Sequence, residues 1–80
     1  MTTLERVRAV LIDTLHLSPG REIVGTTLLS DLTDDSLDHV EITMALEEEF
    51  DVAIIEEDSI ALGNIQQIID YIDAKQGRQV

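Results

Sequence analysis

The chain has 80 residues, 44% of them apolar, with a formal net charge of −12 and no cysteine. A chain of this length buries only roughly 60–65% of its unfolded surface, which leaves room for one small core and none for a deep cleft with a second lobe. The absence of cysteine excludes disulfides, thiolate metal sites and a cysteine nucleophile, and the apolar content excludes compositional disorder.

The charge is unevenly spread. No Lys or Arg occurs between Glu22 and Ala74, twelve acids lie from Asp31 to Asp58, and the basic residues Arg6, Arg8, Arg21, Lys75 and Arg78 sit towards the ends. Such a field repels phosphate backbones, so no nucleic-acid partner is expected, whereas basic protein patches would be attracted in a salt-dependent way. No apolar run approaches the ~18 residues of a membrane span, and "MTTLERVRAV" lacks the apolar region of a secretory signal. The expectation is one domain over residues 1–80, cytoplasmic, monomeric and without stable membrane insertion.

In chain order, Leu4, Val7, Leu11 and Leu15 have the spacing of an amphipathic helix. Thr3 is its expected N-cap, with Arg6 at N3 and therefore no capping box, and Ser18-Pro19-Gly20 is expected to end it. A loop then runs to about Asp34, long enough to need packing by its own side chains, for which Leu28, Leu29 and Leu32 are available. A second helix is predicted over Ser36 to Phe50. Its core stripe is Ile42, Leu46 and Phe50, and Leu37, Val40 and Met44 form a second strip, mostly on the other side, flanked by Glu41, Glu47, Glu48 and Asp51. One stripe suffices for a small core, so the second strip is expected to stay exposed.

"VAII", Val52 to Ile55, fits helix and strand equally, and a short helical turn is predicted near Glu56 to Ala61. Gly63 suits a helix C′ position, and Asn64 suits an N-cap with Gln67 at N3. The last helix sets Ile65, Ile68, Ile69 and Ile72 on one face. The predicted fold is all-α: a small four-helix bundle of three longer helices and one short one, with a long loop between helices 1 and 2.

Ser36, among carboxylates at the start of the second helix, admits three readings. A nucleophilic serine needs a base, an orienting group and an oxyanion hole. His39 lies one turn along, but no G-x-S-x-G elbow is present and the helical wheel turns His39 inward. No catalytic residue is therefore expected. The run Asp31, Asp34, Asp35, Asp38 fails as a calcium loop, because its sixth position is Ser36 where Gly is needed and its twelfth is Ile42 where Glu is needed. No metal site is expected. The third reading sets capping against attachment. Asp35 suits the N-cap itself, which leaves the Ser36 hydroxyl free at N1, where a phosphoester would meet unpaired N–H groups and the positive end of the helix dipole. Spacing alone leaves a plain structural role and an attachment role both open.

From Asp31 to Tyr71 the chain resembles the acyl carrier proteins of fatty-acid and polyketide synthesis. The resemblance is carried by "DSLDHVEITMALEEEFDVAI", Asp35 to Ile54, and "IQQIIDYI", Ile65 to Ile72. The amphipathic first helix and the long loop extend it over nearly the whole chain. It implies a carrier rather than an enzyme, with a 4′-phosphopantetheine arm donated by coenzyme A and attached to Ser36 by a phosphopantetheinyl transferase. The arm would hold acyl groups as thioesters for acyl-transferring, condensing and other pathway enzymes with basic patches. The family's recognition helix maps onto Asp35, Leu37, Asp38, Val40, Glu41, Met44, Glu47 and Glu48. A mixed apolar and acidic strip of this kind suits transient docking. Family members also fold an acyl chain between their helices, for which His39, Val40, Leu46, Ile54, Ile55, Leu62 and Ile68 are the candidate lining.

Thr33 and Asp34 stand where many members have Gly and a small apolar residue, "AII" (Ala53 to Ile55) lacks a proline often found there, and His39 replaces a smaller polar residue. These departures point to a specialised carrier. Fatty-acid synthesis, polyketide synthesis, peptide synthesis and lipid modification all remain open as pathways. The rivals are an unmodified acidic adaptor that docks through the Leu37/Met44 strip, and a serine hydrolase using His39.

Overall fold

A computed structural model describes residues 2–77; Arg78, one of the basic residues noted above, lies outside them. The described residues form five helices: α1 (Thr3–Leu15), α2 (Leu29–Leu32), α3 (Ser36–Phe50), α4 (Glu56–Ala61) and α5 (Ile65–Lys75). The fold is all-α, with the expected three longer helices and one short one. A single-turn helix, α2, is additional and lies inside the long first connection. Among the described residues, extended pairing is limited to one antiparallel bridge between Leu28 and Asn64, and no helix is long and apolar enough to cross a membrane.

The ends of α1 differ from the sequence expectation. Thr2, not Thr3, is the N-cap, and it forms a complete capping box: its hydroxyl accepts from the Glu5 N–H at 3.1 Å while Glu5 Oε1 accepts from the Thr2 N–H at 2.8 Å. The Thr2 N–H first, and then the Thr2 hydroxyl, hold the Glu5 carboxyl below its usual pKa. The helix stops at His16, which adopts the left-handed conformation (φ 57°), before Ser18-Pro19-Gly20 is reached. There the N–H groups of His16 and Leu17 both turn back to the Ile12 carbonyl.

The core is aliphatic apart from Phe50. Val7 and Leu11 of α1 meet Ile42, Leu46 and Phe50 of α3 and Ile65, Ile68 and Ile72 of α5, all buried. Burial of each such side chain contributes about 1.5–3 kcal/mol. Arg6 closes one edge of this layer: its guanidinium lies 4.4 Å from the centre of the Phe50 ring and its Nε donates to Glu49 at 3.1 Å.

The loop between α1 and α3 is held by backbone pairing as well as by apolar burial. Ile23 and Leu29 are buried, whereas Leu28, expected to pack the loop, is half exposed and contributes its bridge to Asn64 instead. The first three N–H groups of α5 have no partner within their own helix, and the loop and the cap satisfy them. Ile65 donates to the Thr27 carbonyl (3.0 Å), Gln66 to the Gly25 carbonyl (2.9 Å), and Gln67 to Asn64 Oδ1 (2.8 Å). A Cβ on Gly25 would lie 2.9 Å from Gln66 Oε1, the movable end of a flexible side chain, so the pairing itself does not require glycine there. Asn64 and Gln67 form the expected capping box. Gly63 does not serve as a left-handed C′ cap, because α4 ends on Leu62 in an extended conformation. Instead its carbonyl accepts from the Leu29 N–H at 3.0 Å and its N–H donates to Gln67 Oε1 at 2.8 Å.

Helix α4 is only lightly attached. It has no buried side chain, and its polar links are Ser59 with Thr43 of α3 (2.7 Å) and Asp58 with the Tyr71 hydroxyl of α5 (2.6 Å). "VAII" is neither helix nor strand. It is an extended connection, fixed by the Ile54 N–H donating to Glu47 Oε2 at 2.9 Å.

Candidate functional site

The start of α3 is built by Thr33, Asp35 and Asp38. Thr33 is extended at the end of α2; its hydroxyl accepts from the Asp35 N–H at 3.1 Å and donates to Asp38 Oδ2 at 2.7 Å. Asp35 is the N-cap, and its Oδ1 accepts from the Leu37 N–H at 2.9 Å while its carbonyl accepts from the His39 N–H at 3.3 Å. Ser36 is thereby left at N1, exposed, and outside this network. Among the described residues no hydrogen bond joins its hydroxyl to His39 or to any carboxylate, so no group is set to take its proton. None of the described clusters of His, Asp and Glu has an arrangement that would hold a metal ion.

Ser36 lies at the edge of an open, largely apolar groove of about 610 Å³ between α3, α4 and α2. Four of the seven residues expected to line an acyl space lie on it: His39, Val40, Ile54 and Leu62. Leu46 and Ile68 are buried beneath its floor, around a crevice of only about 10 Å³. Ile55 lies on neither wall and is exposed, because successive residues of an extended segment point to opposite sides and Ile54 takes the inward one. The sequence reading missed Met44 and Ile60 as wall residues, and Thr43 and Ser59 as its polar members. Ile60 is 80% exposed, which no helical periodicity in six residues of α4 would disclose.

Leu37, beside the groove, and Val40 and Met44, on its wall, stay exposed at 71%, 56% and 60%. Asp35, Glu41 and Glu48 are exposed around them. Two acids of that expected set have structural bonds: Asp38 to Thr33, and Glu47 to the Ile54 N–H. Asp34 is exposed next to Ser36 and adds charge there.

A phosphate-linked group fits this site on three counts. The hydroxyl is free and accessible, the N–H groups of Ser36 and Asp38 in the first turn of α3 donate to no protein partner among the described residues, and the adjoining groove is largely apolar. Comparison with known proteins points the same way. The phosphopantetheine attachment site family matches residues 5–72. The acyl carrier protein of Thermosynechococcus vestitus is 42% identical over 72 residues, 90% of this chain and 89% of that protein. The acyl carrier protein of Buchnera aphidicola subsp. Schizaphis graminum is 38% identical over 71 residues, 89% of this chain and 90% of that protein. Matched across most of its length by the attachment-site pattern and by these relatives, the chain belongs to the acyl carrier protein family.

Proposed function

We propose that this chain is a discrete acyl carrier whose 4′-phosphopantetheine arm is attached to Ser36. The observation that carries the assignment is the position of Ser36: a free hydroxyl at N1 of α3, at the edge of an apolar groove and without a base. A serine so placed suits a substrate of a separate transferase better than a catalyst. When attached, the arm supplies a terminal thiol on which acyl groups are carried. The chain's own residues position the attachment point, cover part of the cargo and present a docking face.

That face comprises the exposed Leu37, Val40 and Met44 with Asp35, Glu41 and Glu48, and α3 itself carries no Lys or Arg to repel a basic enzyme surface. Charge would speed the encounter and the small apolar strip would give modest burial with rapid release. Asp38 and Glu47 contribute to this face mainly by holding its backbone. The partners implied are a phosphopantetheinyl transferase and acyl-transferring and condensing enzymes with basic patches, acting in the cytoplasm in fatty-acid, polyketide or related lipid synthesis.

The test is incubation with coenzyme A and a phosphopantetheinyl transferase, followed by intact mass. The unaltered chain should gain one phosphopantetheinyl group and Ser36→Ala should gain none while keeping its helical circular dichroism. No gain in the unaltered chain would favour the unmodified adaptor, and ester turnover abolished by His39→Ala would favour the hydrolase.

A further inference from the structure

The groove beside Ser36 is not uniformly apolar, and its polar members have a fixed hydrogen-bond sense. Thr43 Oγ1 lies 3.0 Å from the His39 carbonyl, which only accepts, so the single hydroxyl proton of Thr43 is committed there. Thr43 Oγ1 also lies 2.7 Å from Ser59 Oγ. With the Thr43 proton spent, Ser59 must donate in that contact, and its proton is spent as well. Both side chains line the groove, and together they present oxygen lone pairs without a free proton. The His39 ring, on the same wall, adds a donor and an acceptor in its neutral form.

We infer that the groove selects an acyl cargo bearing a hydroxyl group over a saturated or ketonic cargo of the same length, through the acceptor pair Thr43–Ser59. This rests on the reading of Ser36 as the attachment point. Thr43 is seven residues beyond Ser36, about two helical turns or ~10 Å along α3, within reach of a tethered chain. A saturated chain lying against the pair excludes water from its oxygens and returns no hydrogen bond. A ketone adds a further acceptor opposite acceptors. A hydroxyl donates to the pair and accepts from His39, so it alone matches both.

The experiment first loads the holo protein with acyl chains of one medium length: saturated, hydroxylated at each successive carbon, and ketonic at each successive carbon. Loading is confirmed by intact mass, so failure to load reports on the attachment reading alone. The rate of thioester cleavage by hydroxylamine then measures how far each cargo is sheltered. A net neutral hydrogen bond of about 1 kcal/mol corresponds to about fivefold, so at least one hydroxylated cargo should be cleaved about fivefold more slowly than its saturated and ketonic counterparts. Thr43→Val frees the Ser59 proton and should shift the preference towards a ketone. Thr43→Val with Ser59→Ala should abolish the preference, with circular dichroism reporting the fold. Equal sheltering of all cargoes in the unaltered protein would overturn the inference. So would a preference that survives the double substitution, or variants that change all cargoes alike, which would mean that the pair serves the arm.

Discussion

Glu47 separates the structural acids of α3 from the docking acids, and its replacement has a magnitude that follows from the geometry. Its Oε2 accepts the Ile54 N–H at 2.9 Å, and this bond fixes the extended connection that brings Ile54 to the groove and leads into α4. Hydrogen bonds to charged acceptors contribute about 1.5–3 kcal/mol, and the half-buried position of Glu47 sets this one at the lower end. Removing a carboxylate from the last turn of a helix relieves about 0.3–0.5 kcal/mol of unfavourable dipole interaction. Glu47→Ala should therefore cost a net ~1 kcal/mol. Glu48→Ala, one residue further and exposed, should gain those same few tenths and lose nothing. Glu47→Gln keeps an acceptor oxygen and should fall between the two. In urea denaturation followed by circular dichroism, with a slope of about 1 kcal/mol per molar for so small a protein, the midpoint of Glu47→Ala should drop by about 1 M. Equal midpoints for Glu47→Ala and Glu48→Ala would refute the structural role of Glu47.

Asp51 adopts a left-handed conformation (φ 54°) at the end of α3, so Asp51→Gly should remove both backbone strain and a misplaced charge, raising stability by about 1 kcal/mol. Thermal unfolding checks this, and Asp51→Asn should show only the charge component. Burial, together with the hydrogen bond and charge of Asp58, pushes the Tyr71 phenol up to about 12. The unfolded chain releases that proton near pH 10, so this contribution is complete below pH 10 and is lost as pH rises through 12. Tyr71→Phe should cost about 1 kcal/mol at neutral pH and flatten the stability profile between those values, as read by urea midpoints across the range. Glu41→Lys with Glu48→Lys should slow phosphopantetheinylation severalfold at low salt and less at high salt, with unchanged helicity; loss of helicity would show that those acids support the fold.

Much of this architecture is legible in the sequence because it rests on local chemistry. The limits of α3 follow from a capping aspartate before Ser36 and a three-residue stripe ending at Phe50, and both features survive folding unchanged. The start of α5 follows from Asn64 and Gln67 in the same way. The displaced start of α1 was also readable: of two adjacent threonines, only Thr2 has a glutamate at its N3 position, and the capping box selects it. What was not legible depends on tertiary pairing. Helix α2 is a single turn anchored by one buried residue, Leu29, and has no period to detect. Adjacent pairs such as Leu28–Leu29 and Ile54–Ile55 are alike in hydropathy, and only their place in the fold decides which member faces inward. The same holds for the candidate site. Ser36 and the exposed strip of α3 are apparent from one helix, whereas the groove takes its walls from α2, α3 and α4 and depends on a loop tied to α5 through Thr27 and Gly25.

The most direct measurement of the central claim is the position of the arm on the loaded protein. Trypsin has no site between Glu22 and Ala74, so cleavage at acidic residues followed by fragmentation mass spectrometry is the suitable route. Four hydroxyl residues line the groove, namely Ser30, Ser36, Thr43 and Ser59, and they serve as internal competitors. A free, base-less hydroxyl at the start of α3 predicts the whole phosphopantetheinyl mass on Ser36 and none on the other three. An arm on Ser30, Thr43 or Ser59, or an unmodified Ser36 in a protein that has gained the mass, would contradict it.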